Sequence, residues 1–330
     1  MKKRRWIFLS LLLTLFLFFN GYVIWDNSRV ITVEEDIVVK DLPEEFEGFK
    51  ILQISDLHER EFGNNQEKLL NAINSVDFDA IVFTGDLLND VDSKNYNSFY
   101  TLLDGINNKK YAFFTPGNTD PEIYELNSDG RFVKNEFVTG MEKKGVKLLE
   151  SAQSISRNEA KLSFVNFELS LMTPESQTQD YNGRVRPEFA ILPEYREYEK
   201  KLVDEVSEFN TQDNSDVLIA LNHYPVIDAK IDYINNQKSY MFRDYDLIIA
   251  GHYHGGQVRL PFVGALFVPE PWYEKGGLLP PQNRVKGLWE YADTKQYVSA
   301  GLGSSDAISF INFRLFNPPE INVLTLSNKK

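Results

Sequence analysis

The residues of this chain that could carry chemistry are a small set of histidines, carboxylates and amides. The chain has 330 residues, four histidines and no cysteine, so a metal ion would be held by imidazole, carboxylate or amide groups. Such ligands suit Mn, Fe or Zn better than Ca or Mg. Every histidine lies at or just after the end of an apolar run, beside small or turn-forming residues. The candidate ligands at these points are Asp56, His58, Asp86, Asn118, His223, His252 and His254.

The spacing of these residues favours a binuclear metal site. Asp56 and His58 are two residues apart, so both side chains can point to one face of an extended segment. His252 and His254 repeat that spacing, and the carboxylate of Asp86 has two oxygens with which it could bridge two cations. Two ions about 3.5–4 Å apart can clamp a phosphoryl group and generate a hydroxide nucleophile at neutral pH.

Each motif is weak by itself, because Gly-Asp and Gly-Asn pairs after strands are usually turns. A single buried histidine is also more often a hydrogen-bonded residue than a metal ligand. The prediction depends on the conjunction: every histidine of the chain falls, in order, into a candidate ligand motif at the end of a strand-like run.

The elements that must position these residues alternate between strands and helices. Strands are expected at residues 50–55, 80–84, 111–115, 162–166, 216–221 and 247–250. Helices are expected at residues 131–144 and 195–209, and helical spacing also occurs from Leu69 to Val76. This alternation predicts a layered α/β body formed by residues 30–330. Residues that follow the carboxyl ends of several strands meet in one crevice. The more polar residues 121–187 are expected to form loops or insertions.

The N-terminal segment predicts a membrane anchor. Four basic residues, Lys2 to Arg5, precede the uncharged and mainly apolar residues 6–25, which as a helix reach about 30 Å, the thickness of a bilayer core. The positive-inside rule places the N-terminus in the cytoplasm and the body outside, so we expect a single-pass protein with an uncleaved signal anchor. Residues 26–29 are expected to form a short linker. A cleaved signal peptide is the alternative, and Arg4-Arg5 leaves twin-arginine export open.

Composition excludes several other classes of function. Without cysteine there are no disulfides, thiolate zinc sites, cysteine nucleophiles or iron–sulfur clusters. Beyond residue 25 the chain holds 31 basic and 48 acidic residues, a net charge of −17, so we expect no nucleic-acid partner. The sequence contains no P-loop and no G-x-S-x-G elbow, which leaves triphosphate and serine-hydrolase chemistry without support.

In order, these motifs resemble the calcineurin-like metallophosphoesterase family, whose pattern is D-x-H, GD, GN-H-[DE], a later H and GH-x-H. The resemblance runs from about residue 50 to the C-terminus, and residues 251–269 and 301–326 look like the membrane-associated bacterial branch. It implies a four-layer α-β-β-α sandwich. It also implies one metal held by Asp56, His58, Asp86 and His254, and a second held by Asp86, Asn118, His223 and His252.

The family pattern is broken at Thr119, which stands where the family usually has a catalytic histidine. The resemblance implies hydrolysis of phosphate ester or pyrophosphate bonds by a metal-bridging hydroxide, with Asp86, Asn118, Thr119 and Asp120 in the catalytic set. Threonine can donate a hydrogen bond but cannot act as a general acid near neutral pH. The alternative is therefore a catalytically weak, metal-bound phosphate-binding protein. An anchored enzyme would act on an extracytoplasmic substrate that is lipid- or envelope-linked.

Two further segments carry open alternatives. Residues 269–281 hold Trp272 and Tyr273 in a Pro/Gly-rich stretch that could form an apolar lip for the substrate, or simply pack under a loop. Residues 301–305 could offer backbone N–H groups to a phosphate or form an ordinary turn. Neither the substrate nor the oligomeric state is predicted by the sequence.

Overall fold

The structure is a computed structural model that describes residues 2–173, 188–210, 215–305 and 312–328. The α-helices are α1 Lys2–Ser28, α2 Glu67–Asn74, α3 Asn97–Gly105, α4 Glu136–Lys143, α5 Phe167–Ser170, α6 Pro193–Ser207 and α7 Asp228–Asn235. Short 3₁₀ turns are found at Glu44–Phe46, Asn64–Gln66, Glu188–Ile191, Glu208–Asn210, His254–Gly256 and Gln282–Arg284. The strands are β1 Ile31–Val38, β2 Lys50–Ile54, β3 Ala80–Phe83, β4 Ala112–Phe114, β5 Tyr124–Leu126, β6 Phe132–Lys134, β7 Lys147–Leu148, β8 Ala152–Arg157, β9 Ala160–Asn166, β10 Val217–Leu221, β11 Leu247–Ala250, β12 Arg259–Leu260, β13 Gly264–Ala265, β14 Gly287–Tyr291, β15 Thr294–Val298 and β16 Glu320–Ser327.

Two six-stranded sheets form the centre of the body. The first has the order β1-β16-β2-β3-β4-β7, and the second has the order β14-β15-β11-β10-β9-β8. In the first sheet β2, β3 and β4 are parallel neighbours, and in the second β9, β10, β11 and β15 are parallel neighbours. The central strands are buried along their whole length and consist of apolar residues, as in AIVF for β3 and LIIA for β11. Such continuous apolar runs are typical of strands that are covered on both faces.

The hydrophobic clusters divide the body into four layers. One cluster lies between the sheets and combines Ile51 and Val82 of the first sheet with Ile219 and Ile249 of the second. A second cluster packs α2, α3 and α4 on the outer face of the first sheet. A third packs α5 and α7 on the outer face of the second. This arrangement confirms the predicted four-layer α-β-β-α sandwich.

The six predicted strands are observed as β2, β3, β4, β9, β10 and β11, with ends that differ by at most two residues. The helix predicted at residues 131–144 is wrong in its first part, where Phe132–Lys134 pairs with Tyr124–Leu126 as a hairpin. The helix begins only after Asn135, whose side chain accepts a hydrogen bond from the Val138 N–H at 2.7 Å. This bond caps the helix and fixes its start.

Residues 121–187 are also more regular than expected. The described part, up to residue 173, contains the predicted β9 and α4, and it also contains β5 to β8 and α5. Most side chains of β5 and β6 are exposed or partly exposed, which explains why this hairpin has no apolar strand pattern in the sequence. Residues 174–187 of the predicted insertion lie outside the described residues.

Helix α1 carries the predicted anchor. An 18-residue window has a mean hydropathy of 2.2 and none of it is buried in the body, so its length and composition fit either a membrane anchor or a signal sequence. The helix does not end at Trp25, because Asp26, Asn27 and Ser28 form its last turn. Asp26 and Asn27 are buried, so this part of the predicted linker packs against the body.

Candidate metal centre

The carboxyl ends of five strands place the candidate ligands along one edge of the sandwich. Asp56 and His58 follow β2, Asp86 follows β3, and Asn118 to Asp120 follow β4 in the same sheet. His223 follows β10, and His252 and His254 follow β11 in the second sheet. Parallel neighbours end at the same edge of a sheet, so each sheet delivers its ligands to one crevice.

Four of these side chains form a first cluster. Nε2 of His254 lies 3.6 Å from Oδ1 of Asp56 and 3.3 Å from Nε2 of His58. Nε2 of His58 lies 3.6 Å from Oδ2 of Asp86. All four side chains are buried, and one ligand atom from each lies within 4.8 Å of the others.

The same oxygen of Asp86 belongs to a second cluster. Oδ2 of Asp86 lies 3.3 Å from Nε2 of His223, which lies 3.0 Å from Nδ1 of His252 and 3.2 Å from Oδ1 of Asn118. His252 is partly buried and Asn118 is exposed, so the second cluster faces the open side of the crevice. Both predicted ligand sets are therefore brought together, with Asp86 between them.

The donor geometry fits divalent ions. Two ligand atoms that bind one ion at about 2.1 Å are separated by roughly 3.0 Å at octahedral angles and roughly 3.4 Å at tetrahedral angles. The paired nitrogens of His58 and His254 at 3.3 Å, and those of His223 and His252 at 3.0 Å, match this range. Mixed imidazole, carboxylate and amide donors are chemically suited to Mn, Fe or Zn.

Hydrogen bonds to the backbone orient two of the histidines. Nδ1 of His223 lies 2.8 Å from the carbonyl oxygen of Thr84. With the proton on this nitrogen, Nε2 is free to act as a ligand. The ring of His252 bonds the carbonyl of Pro269 while its Nδ1 faces His223. Metal-binding histidines typically use the second ring nitrogen in this way, which fixes the tautomer.

The pKa shifts of several side chains in the two clusters favour the binding of a cation. Burial lowers the pKa of His252 to about 3, and burial beside His58 also lowers the pKa of His254. Both rings are neutral at pH 7 and keep a lone pair for a cation. Burial raises the pKa of Asp56 to about 7, and a neighbouring cation would favour the ionised carboxylate.

Backbone strain is concentrated on the candidate ligands. Asp56, His58, Asp86, His252 and His254 all have positive φ angles, between 48° and 69°. Left-handed conformations are uncommon outside glycine, although Asp and His are enriched among the exceptions. Such strain tends to cluster at functional sites, where the surrounding structure holds it in place.

The loops after β3 and β4 approach each other too closely for side chains on their glycines. A Cβ on Gly117 would overlap the carboxylate and backbone of Asp86, and Gly85, with a φ of 84°, lies directly against Gly117 and His223. The glycines that precede Asp86 and Asn118 in the sequence motifs therefore allow both ligands to enter the same cluster.

Asp120 does not face the clusters. Its carboxylate is buried and accepts four backbone N–H groups: Oδ2 from Asp86 and Gly117, both at 2.8 Å, and Oδ1 from Leu87 at 2.9 Å and Leu88 at 3.2 Å. This geometry makes Asp120 a clamp between two ligand loops, a positioning role that differs from the catalytic role expected from the sequence.

Thr119 lies beside the second cluster, and its polar groups are engaged. Its N–H donates to Oδ1 of Asp86 at 2.9 Å, which leaves Oδ2 of that carboxylate directed at the histidines. Its hydroxyl donates to the carbonyl of Leu88 at 2.7 Å. The hydroxyl proton is thus committed to the backbone and is not directed at a leaving group.

The site also depends on Arg314, which sequence reasoning missed. This fully buried guanidinium donates to the carbonyls of Ala300 at 2.7 Å, Gly303 at 2.8 Å and Asn317 at 2.8 Å. It also lies 3.3 Å from the carbonyl of His254. A lone arginine near the C-terminus carries no sequence signal for such a role, because its partners lie on other loops.

The two segments left open by the sequence have distinct structures. Tyr273 packs beside the hydrophobic cluster that contains Tyr253 and Val268. Trp272 is half-exposed, and the centre of its ring lies 5.4 Å from that of Tyr233. In residues 301–305 the backbone N–H groups of Gly301, Leu302, Gly303 and Ser305 all donate within the protein. This second segment is therefore a turn that supports the site.

Comparisons with known proteins identify relatives of this chain. The family profile "Calcineurin-like phosphoesterase" matches residues 49–256. The chain is 26% identical to the uncharacterized metallophosphoesterase YkuE of Bacillus subtilis, over 93% of this chain and 90% of YkuE. It is 25% identical to the UDP-2,3-diacylglucosamine pyrophosphatase LpxG of Chlamydia muridarum, over 86% of each chain. Phosphopantetheinyl hydrolase PptH from Mycobacterium tuberculosis covers 78% of this chain, and 91% of its own, with 13% identity and a TM-score of 0.39. On the family match, this chain is a member of the calcineurin-like phosphoesterase family.

Proposed function

We propose that this protein uses two divalent metal ions to hydrolyse phosphate ester or pyrophosphate bonds in a lipid- or envelope-linked substrate outside the cytoplasm. Membership of the family supports phosphoester hydrolysis. The observation that carries the two-metal part is the shared Oδ2 of Asp86, which lies 3.6 Å from His58 and 3.3 Å from His223. An oxygen between two ligand clusters is where a bridging ligand would lie.

In this proposal the two clusters have different tasks. Asp56, His58 and His254, all buried, would hold the first ion away from solvent. His223, with the more accessible His252 and Asn118, would hold the second ion where a phosphate can reach it. Bound divalent ions supply charge that offsets the phosphate and lower the pKa of water to near neutral. The choice among Mn, Fe and Zn is left to measurement.

The leaving group sets the expected range of substrates. Among the catalytic residues proposed from the sequence, Thr119 cannot supply a proton, because its hydroxyl donates to the carbonyl of Leu88. General-acid help typically contributes about 10²–10⁴-fold to a rate. We therefore expect aryl phosphates and pyrophosphate-linked substrates, whose leaving groups need no proton, to react faster than alkyl esters. The LpxG relative, a pyrophosphatase by its name, supports a substrate of the pyrophosphate class.

The membrane part of the proposal rests on α1. Its 18-residue apolar window has a mean hydropathy of 2.2, and four basic residues lie at its N-terminal end. The positive-inside rule then places the N-terminus in the cytoplasm and the body on the other side. Addition of an impermeant protease to intact cells would test this orientation, since only an extracytoplasmic body would be digested.

An activity panel with added manganese tests the proposal. The panel would contain aryl and alkyl monoesters, diesters, nucleotide-sugars and lipid phosphates, with metal content measured on the same samples. We expect manganese-dependent turnover that is highest on aryl or pyrophosphate bonds and that is lost in Asp86→Asn. Equal rates on alkyl and aryl diesters would contradict the proposed effect of Thr119.

A second candidate is a metal-bound phosphate-binding protein without significant turnover. The observation that favours it is Thr119, which stands in place of the family's usual histidine and has its hydroxyl engaged. Bound metal together with phosphate binding, but without turnover on any member of the panel, would favour this candidate over the enzyme.

A further inference from the structure

Large apolar side chains are exposed on three segments that are joined by backbone hydrogen bonds. We call these residues the apolar rim: Leu260, Phe262, Val263, Leu278, Leu279 and Phe316. Phe262 is fully exposed, and the other five side chains are between 38% and 54% exposed. Backbone hydrogen bonds join the segments, from Arg259 N–H to the Leu315 carbonyl at 3.0 Å and from Leu279 N–H to the Leu266 carbonyl at 2.8 Å. The rim is therefore one surface.

The rim also contains unusual backbone strain. Phe262, Leu279 and Phe316 have φ angles of 66°, 49° and 51°. Among the apolar residues that the structure describes, Ala292 is the only other one with a positive φ apart from glycine. Bulky side chains are rare in this conformation, and these three have no core to fill because they point outward.

Phe262 shows the effect most clearly. It occupies the third position of a four-residue turn closed by the Val263 N–H and the Leu260 carbonyl at 3.2 Å, where a positive φ favours glycine. The phenyl ring is fully exposed, so it adds nothing to the folded core. A strained and exposed aromatic residue points to something that it contacts outside the chain.

The rim is connected to helix α1. The ring of Phe316 lies 5.2 Å from that of Tyr22, and Tyr22 is three residues before Trp25, which is about 4.5 Å along the helix axis. Tyr22 and Trp25 close the apolar segment of α1, where aromatic residues mark the boundary between lipid and water. Phe316 is therefore at the height of that boundary when α1 spans a bilayer.

Basic side chains surround the same end of α1. Arg60 donates to the carbonyl of Asn27 at 2.8 Å, and Lys68 lies 3.3 Å from the carbonyl of Ser28. Arg29 lies over the ring of Trp25 at 4.6 Å. Arg29 is also paired with Asp26 at 2.6 Å, which leaves Arg60 and Lys68 as the cations beside this end of α1. Outside residues 1–25 the chain has a net charge of −17, so these two cations are placed where anionic headgroups would meet an otherwise acidic body.

We infer that the apolar rim inserts into the lipid interface beside α1, so that the metal centre takes a lipid-borne phosphate directly from the adjoining leaflet. This inference rests on the proposed function, because it requires α1 to span the membrane. A lipid surface is favoured over a second protein chain because the rim continues an apolar helix through Phe316 and Tyr22. The hairpin that carries Phe262 begins soon after His254–Gly256, so the depth of the rim also fixes the height of the metal centre.

Site-specific fluorescence can test insertion without any activity measurement. The chain has no cysteine, so Phe262→Cys in the full chain can be labelled with the fluorophore NBD and reconstituted into phosphatidylcholine–phosphatidylglycerol vesicles. Lipids with a doxyl quencher near the headgroup should roughly halve the emission, as expected for an interfacial side chain. Val133→Cys, on the exposed hairpin β5–β6 and 37% exposed, should not be quenched.

A pair of glycine substitutions separates insertion from strain. Phe262→Gly and Ala292→Gly each remove a positive-φ side chain, so both should raise the melting temperature slightly. Only Phe262→Gly should slow turnover of a lipid-borne substrate in vesicles, by several-fold. Neither should change turnover of a soluble aryl diester.

The outcomes separate this inference from the proposed function. Quenching of the label at residue 262 without hydrolysis of any phosphate substrate would support insertion of the rim and contradict the proposed enzymatic activity. Absence of quenching in an active enzyme would overturn the inference that the rim inserts into lipid. Cross-linking of residue 262 to a second copy of the chain, without quenching by the lipid-borne doxyl group, would also contradict insertion of the apolar rim.

Discussion

Asp120→Asn distinguishes a positioning role from a catalytic one. In the asparagine variant one oxygen can still accept the N–H groups of Leu87 and Leu88. The amide NH₂ then replaces Oδ2 and faces the N–H groups of Asp86 and Gly117, which lose their acceptor. Each buried donor left without a partner costs about 1–3 kcal/mol, so the variant should lose up to about 6 kcal/mol of unfolding free energy. Burial raises the pKa of Asp120 to about 6, so removal of this buried charge offsets part of the loss.

Thermal unfolding of the full chain in detergent would measure this loss. An unfolding entropy of about 2.1 cal/mol/K per residue over roughly 300 folded residues gives about 0.6 kcal/mol/K, so the melting temperature should fall by up to roughly 10 °C. Metal content should fall with it, because Asp86 is held by the same clamp. Asp129→Asn is the matched control, since Asp129 is exposed and its carboxylate pairs with Arg131 on the surface.

The opposite result would refute this reasoning. A variant with the melting temperature and metal content of the unchanged protein, but with much slower turnover, would show that Asp120 takes part in catalysis. The predicted loss of stability distinguishes the two roles, because a group that contacts only substrate can be altered without unfolding the loops around it.

The remaining predictions concern the site and one buried carboxylate. Thr119→His should raise turnover on alkyl esters by up to about 10²-fold, through general-acid help, whereas Thr119→Asn should not. Equal rates for both variants, at unchanged metal occupancy, would show that position 119 does not provide the general acid. Asp86→Asn should lose bound metal from both clusters, as measured by elemental analysis, and loss of only one equivalent would argue against a bridging role. Burial raises the pKa of Asp246 from 3.8 to about 6, so its ionised form is destabilising. Asp246→Asn, which can still accept the Leu218 N–H, should therefore be more stable by about 1–2 kcal/mol above pH 6. This advantage should shrink as the pH falls through 6 and vanish below about 4; an advantage that is constant with pH would contradict it.

The candidate ligands could be predicted from the sequence because each one is a local feature. Every ligand follows the end of a short apolar strand, and pairs such as Asp56 with His58 and His252 with His254 are only two residues apart. Glycines beside them mark turns at which two loops can approach. The convergence of these separate motifs then follows from the general geometry of parallel strands.

Other features had no local signal. Strand β1, Ile31–Val38, pairs in parallel with β16, Glu320–Ser327, so the two ends of the body meet in one sheet although the intervening chain separates them. The sequence predicts a helix over β6, Phe132–Lys134, because the bond from the Val138 N–H to the Asn135 side chain, which sets the true start of the helix, depends on side-chain orientation. The family pattern implies a catalytic role for Asp120, and only its four N–H partners in the structure indicate the clamp.

Arg314 links helix α1 to the candidate metal centre. Its backbone N–H donates to Oδ1 of Asn27 at 2.8 Å, and its carbonyl accepts from Nδ2 of the same side chain at 2.7 Å. Its guanidinium, in turn, bonds the carbonyls of Ala300 and Gly303 and contacts that of His254. One residue, Arg314, therefore connects the last turn of α1 to the backbone of the candidate metal ligand His254. In the proposed anchored protein, a flexible tether would let the body sample many orientations, whereas this joint would hold the crevice at a fixed height above the bilayer. The proposed activity on a lipid-borne phosphate would need that fixed height, because the scissile bond of such a substrate is held at the headgroup level.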